Sequence, residues 1–154
     1  MEVRHAIHDL GARVLPDENL HVTALFLGDG DWQIEKIARE VLRVARAAAP
    51  FTLQMHELGG FPRREAARSV VLLAEPEARF DALVQALGAA VGVAPDRTPR
   101  PHVTVGRSRA TVQVPRLRLT HELRCAELAL YESHLLPSGA SYQVRQVFPL
   151  VPEP

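Results

Sequence analysis

Residues 17–28 read DENLHVTALFLG, and residues 100–106 read RPHVTVG. The triplet His-Val-Thr thus stands at 21–23 and again at 102–104, each time at the head of an apolar run. A short apolar run rich in β-branched residues reads as a strand. Along a strand, side chains at i and i+2 share a face. His21 and Thr23 therefore project together, as do His102 and Thr104, while Val22, Val103 and Val105 turn the other way into apolar packing. Each motif offers an imidazole and a hydroxyl from a rigid backbone. One copy would carry little information, because a lone histidine beside apolar residues is usually packed and hydrogen-bonded. Two copies point to a joint role. With the strands side by side, two imidazoles and two hydroxyls converge on one small space.

The surrounding pattern supplies the rest of the fold. Glu2–Leu10 suits a short helix, followed by a turn at Pro16-Asp17 and a strand over Leu20–Leu27 that ends at GDGD. Trp32–Ala49 carries Ile34, Ile37, Val41, Leu42, Ala45 and Ala48 at helical spacing, and Pro50 stops it. Phe51–Leu58 alternates as a strand, and Ser69–Ala74 reads as a buried one. Glu77–Val91 is a second amphipathic helix, and Pro95–Pro101 a stiff loop before the strand His102–Arg107. Val112–Leu119, Leu123–Glu132 and Tyr142–Leu150 read as further strands, with a turn at Pro137-Ser138-Gly139. No linker or shift in composition divides the chain, so one α+β domain over 1–154 is expected. The order motif strand, helix, strands, helix, motif strand, strands suggests two similar halves, each with a small sheet and a helix, that set the motif strands side by side.

Composition narrows the class. The 154 residues suffice for one hydrophobic core, and 47% apolar with 23% charged residues belongs to a globular protein. No apolar run reaches the roughly 20 residues of a membrane span, and the charged N-terminal stretch MEVRHAIHDLGARV does not read as a secretory signal. Cys125 is the single cysteine, which rules out an internal disulfide and fits a reducing cytoplasm. Formal net charge is zero, yet residues 97–121 hold Arg97, Arg100, Arg107, Arg109, Arg116 and Arg118 without any Asp or Glu. Such a stretch attracts phosphates or is a solvated face balanced elsewhere.

Two imidazoles and two hydroxyls meet the needs of phosphodiester cleavage without a metal. One imidazole takes a proton from an attacking water, and the other gives a proton to the departing alkoxide. Hydroxyls and an arginine hold the non-bridging oxygens. An ordinary imidazole titrates near neutral pH, which suits both proton transfers.

The sequence resembles the two-histidine phosphoesterases, specifically the LigT-like RNA 2',3'-cyclic phosphodiesterases, also called 2'-5' RNA ligases. The matching stretches are PDENLHVTALFLG, HELGGFPRREAARSVVLL, RPHVTVGR and LALYESHLLPSGASYQVRQVFPL, in the family's order from about Val14 to Leu150. The resemblance implies a bilobal, pseudo-two-fold arrangement of two antiparallel sheets with outer helices and a central cleft. It also implies hydrolysis of a 2',3'-cyclic phosphate to a 2'-phosphate, with His21 as general acid, His102 as general base and Thr23 and Thr104 holding phosphate. Arg107 stands where the family has an arginine after its second motif. The strand with which the family usually opens is absent or shortened in residues 1–20. Strict alternation from His102 and Thr104 puts Gly106 on their face, so Arg107 joins them only through a bulge or twist near Gly106.

Rival chemistries are less well supplied. No H-E-x-x-H or paired-cysteine spacing is present, so no metal is expected, and His5, His8, His56, His121 and His134 are assigned to surface or packing. There is no G-x-S-x-G, and Cys125 reads as a small buried residue within a strand. GDGD lacks the spacing and lysine of a phosphate loop, so no cofactor is expected. A non-catalytic RNA- or nucleotide-binding module using the arginines of 97–118 is the alternative, although aromatic content is only 5%. Phe61 and Arg63, in the GGFPRR stretch, are candidate substrate contacts, with Arg64 and Tyr131 as further possibilities and Phe26 assigned to the core. The expected partner is RNA with a 2',3'-cyclic phosphate end or a small cyclic nucleotide, without membrane or obligate protein partner.

Overall fold

In chain order the computed structural model, which describes residues 2–95 and 100–152, contains α1 (Glu2–Asp9), β1 (Arg13–Val14), α2 (Ile34–Arg46), β2 (Phe51–Phe61), β3 (Ala67–Ala74), α3 (Ala78–Val91), β4 (His102–Val112), β5 (Arg118–Cys125), β6 (Glu127–Leu136) and β7 (Gly139–Pro149). Five strands form one sheet in the order β1-β4-β3-β2-β5, and β6 and β7 form a second. The pairs β1–β4, β3–β4, β2–β3 and β6–β7 are antiparallel. The class is α+β, as the sequence indicates. Arg97 and most of the loop Pro95–Pro101 lie outside the described residues.

The chain divides into two compact units. One comprises Met1–Thr23, Leu53–Pro76 and Arg100–Leu123, and the other Ala24–Thr52, Glu77–Pro99 and Arg124–Pro154. In the first unit, β3 is buried on both faces through Val70, Val71, Leu73 and Ala74, as befits the middle strand of a sheet. Helix α1 closes on this sheet through Ile7, which is fully buried. A Cβ on Gly106 would stand 2.8 Å from Ile7 Cγ2 and 3.3 Å from the Arg13 carbonyl oxygen, so only glycine lets helix and strand approach here. In the second unit, α2 buries Ile37, Val41, Val44 and Ala45 and packs on α3 and on the β6–β7 hairpin. Arg43 and Arg46 lie in its last turn, where cations suit the negative end of the helix dipole. Phe148 and Leu130 form the hairpin's share of that core.

Both His-Val-Thr motifs belong to the first unit and to one set of paired strands, rather than one to each half. The expected strand Leu20–Leu27 shrinks to a single bridge at Val22. A strand needs a neighbour's backbone to bond, and beyond Thr23 the run Ala24–Leu27 has no ladder partner among the described residues. Phe26, assigned to the core, is accordingly 75% exposed. Two strand boundaries also move. β4 runs on to Val112, so Val112–Leu119 is not one strand, and a break at Ala126 divides Leu123–Glu132 between β5 and β6. The chain passes between the units at Leu123–Arg124, and apolar alternation carries no mark of such a passage.

Gly60 tests the tightness of the first unit. A Cβ there would meet Ala67 Cβ at 2.6 Å and Val114 Cγ2 at 3.0 Å, and Ala67 and Val114 are both buried. The neighbouring Cβ is fixed to backbone and cannot rotate away. Gly60→Ala is expected to lower stability by about 1–3 kcal/mol in urea unfolding; an unchanged midpoint would mean that the strands give way freely.

Candidate active site

An antiparallel bridge joins Val22 to Val103. Antiparallel geometry then sets His21 across from Thr104 and Thr23 across from His102, with all four side chains on the face opposite the two valines. Val103 is buried, and His21, His102 and Thr104 are half-buried. The bridge is a local two-fold axis: each motif presents to the other what the other presents to it. The two histidines occupy diagonal positions, for which about 7–8 Å separation is usual, so their rings can reach one small group held between them.

The rings are oriented alike. His21 Nδ1 lies 2.7 Å from the Asn19 carbonyl oxygen, and His102 Nδ1 lies 2.8 Å from that of Arg100. A carbonyl only accepts, so Nδ1 carries the hydrogen in both rings, and Nε2 is the atom through which each imidazole takes up or gives a proton. Phe61 adds a constraint on His102 alone, meeting it edge-on at 4.8 Å between centroids. The residue is the last of β2 rather than part of an open loop, and it is half-buried. Its ring therefore packs against the imidazole, a contact that no spacing along the chain reveals.

A β-bulge decides where Arg107 points. Along β3–β4 the partners are Leu73 with His102, Leu72 with Val103 and Val71 with Thr104, but then Val70 with Gly106 and Ser69 with Arg107. β4 contains one extra residue at this point. Cross-strand partners share a face, and Leu73, Val71 and Ser69 alternate onto one face of β3. The bulge thus brings Arg107 onto the face of His102 and Thr104, the adjustment that strict alternation lacks. Arg107 Nη1 donates to Ser69 Oγ at 2.9 Å. On the other side of β4, Arg13 is the direct partner of Arg107.

Arg63 is exposed. Arg64 is held by the Pro115 carbonyl at 2.8 Å and by Glu57 at 3.2 Å, which makes it a brace between β2 and the segment leading to β5. Arg100, Arg109, Arg116 and Arg118 are exposed, all in the first unit. Tyr131 lies in the second unit, edge-on to Tyr142 at 6.2 Å. Burial pushes the Cys125 thiol up from its ordinary value, which disfavours the thiolate that a nucleophile needs. Among the described residues, no three His, Cys, Asp or Glu side chains gather as a metal-ligand set, and no helix is long and apolar enough to cross a membrane. An apolar groove of about 570 Å³ beside α2 and α3, lined by alanines such as Ala47, Ala82, Ala86 and Ala90, contains none of the motif residues.

The family model of the 2'-5' RNA ligase superfamily matches residues 2–135. The chain belongs to this superfamily. An RNA 2',3'-cyclic phosphodiesterase of Methanothermobacter thermautotrophicus is 32% identical over 155 residues, covering 92% of this chain and 84% of the relative. One of Thermus thermophilus is 32% identical over 152 residues, covering 91% and 76%. A solved structure of a Thermus thermophilus protein, 30% identical, superposes with a TM-score of 0.86 over 99% of this chain and 90% of that one. Escherichia coli LigT, solved with 3'-AMP, is 22% identical with a TM-score of 0.71, over 97% of this chain and 91% of LigT. At that identity the likeness speaks for the fold alone. The superfamily member described here thus has a LigT-like α+β fold.

Two residues on the motif face escape sequence reading in this superfamily member. Ser69 looks like one more residue of a buried strand, and Arg13 like a charge ahead of a turn; only the register of β1, β3 and β4 puts them beside Arg107. The ring orientation has its own check. With both imidazoles neutral, nitrogen NMR is expected to show His21 and His102 protonated at Nδ1 and bare at Nε2. The opposite tautomer in either ring would contradict its bond to the backbone.

Proposed function

We propose that this chain hydrolyses 2',3'-cyclic phosphates, at RNA ends or on small nucleotides, to 2'-phosphates and without a metal. The observation that carries this reading is the Val22–Val103 bridge, which pairs the two His-Val-Thr motifs antiparallel on one face. The names of the relatives, RNA 2',3'-cyclic phosphodiesterases at 26–32% identity, support the substrate class. The compartment we infer is the cytoplasm, which a chain with one cysteine suits.

With the cyclic phosphate between the imidazoles, neutral His102 accepts a proton at Nε2 from a water whose oxygen bonds to phosphorus. The bond from phosphorus to the 3' oxygen breaks, and protonated His21 gives its Nε2 proton to that oxygen. One water is consumed, the 2' ester bond survives, and exchange with solvent restores both rings. Thr23, Thr104 and Arg107 hold the non-bridging oxygens as their charge grows, while Phe61 and Arg63 contact the rest of the substrate. The local two-fold makes the imidazoles near-equivalent, so the choice of His21 as acid rests on the resemblance. The superfamily's name favours a second use of the same site: a 5'-hydroxyl in place of water would leave a 2'-5' linkage, with no nucleotide consumed.

His21→Ala and His102→Ala are each expected to lower turnover of a 2',3'-cyclic nucleotide by roughly 10²- to 10⁴-fold. Thr23→Val and Thr104→Val are each expected to cost about 2.7–4 kcal/mol in kcat. Full activity in either histidine variant would remove that ring from the mechanism. Incubation of the wild-type chain with a cyclic nucleotide and excess chelator should yield the 2'-phosphate at an undiminished rate, with a bell-shaped pH profile. A 3'-phosphate product would reverse the bond assignment, loss of activity in chelator would bring back a metal, and affinity for RNA without cleavage would favour the binding module.

A further inference from the structure

The β1–β4 pairing places a second guanidinium beside the proposed phosphate site. Arg13 is the direct partner of Arg107, and Val14 that of Gly106, and the contact continues with Leu15 N–H donating to the Val105 carbonyl at 3.0 Å. β1 is only two residues long, yet its position is firmly set: the Arg13 carbonyl and Ile7 both crowd Gly106. Partners across an antiparallel pair share a face, so Arg13 projects on the side of His21, His102, Thr104 and Arg107. Both arginines are exposed to a ligand.

Arg13 lies level with Arg107, three residues along β4 from Thr104, or roughly 7–10 Å from the motif hydroxyls at about 3.3 Å per residue. An anion seated at Arg13 is a neighbour of the group between the imidazoles, and Arg107, whose guanidinium carries five N–H donors, stands between the two. Two guanidiniums at partner positions on one face can each offer a phosphate a charge-assisted, forked set of donors. In an RNA chain ending in a cyclic phosphate, the next anion is the phosphate on the 5' side of the terminal nucleotide. A free cyclic nucleotide has no such group.

We propose that Arg13, held opposite Arg107, binds the phosphate preceding the cyclic end, so that this face prefers an RNA end to a free 2',3'-cyclic nucleotide. The proposal rests on the hydrolytic reading above and names the substrate class within it. Arg13 acts as a specificity-determining residue and takes no part in proton transfer.

The test compares kcat/KM for uridine 2',3'-cyclic phosphate with that for the dinucleotide UpU ending in a 2',3'-cyclic phosphate. The wild-type chain is expected to favour the dinucleotide by about tenfold at low salt, with the preference shrinking as salt rises. Arg13→Ala is expected to remove most of that ratio, and Arg13→Lys to keep part of it. A merely structural role lowers both values alike and leaves the ratio standing, which overturns the proposal. So does a wild-type chain without preference, a result that needs no variant to fold. If neither substrate is cleaved, the hydrolytic reading falls, and the same ratio is read by calorimetry from uridine 2'-phosphate and UpU 2'-phosphate. Equal affinities there overturn the role of Arg13; a dinucleotide preference lost in Arg13→Ala upholds it.

Discussion

A single backbone contact, the antiparallel bridge between Val22 and Val103, brings the two His-Val-Thr motifs onto one face. The role of the two valines is geometric: turned to the apolar side of the pairing, they force the residues before and after them onto the other. A shift of one residue in this pairing would turn His21 inward and Val22 out, while β4, held between β1 and β3, keeps His102 and Val103 where they are. The apolar side of the strands thus holds the polar side in place.

The support beneath the bridge comes from β3, whose Val70, Val71, Leu73 and Ala74 are buried between β4 and β2. From it radiate the features that refine the face. Ser69 holds the guanidinium of Arg107, and Phe61, the partner of Ser69 on β2, meets the ring of His102. Each imidazole is fixed by the carbonyl two residues earlier, an interaction within its own segment. Ring orientation is therefore local, whereas the company each ring keeps depends on strands distant in the sequence.

That division explains what the sequence disclosed. The i, i+2 rule placed His21 with Thr23 and His102 with Thr104, because periodicity along one strand is a local property. The helices α2 and α3 were legible for the same reason, since Ile37, Val41 and Val44, and Phe80, Leu83 and Leu87, recur at helical spacing. The run Leu20–Leu27 misled because its composition suits a strand while only Val22 finds a partner. Arg13 and Ser69 stayed hidden because cross-strand register is not written in either strand alone. Gly59, Gly60 and Pro62 give the surroundings of Phe61 the composition of a loop, yet β2 continues through both glycines to reach it.

The extra residue in β4 between Thr104 and Gly106 divides one strand in two. Upstream of it stand His102 and Thr104; downstream stand Gly106 and Arg107, the latter brought onto the same face by the bulge. Insertion or deletion at this joint would swing the downstream half to the opposite side while leaving the upstream half untouched. A single codon gained or lost there would therefore change which side chains stand beside Thr104 while leaving His102 and its ring contacts in place.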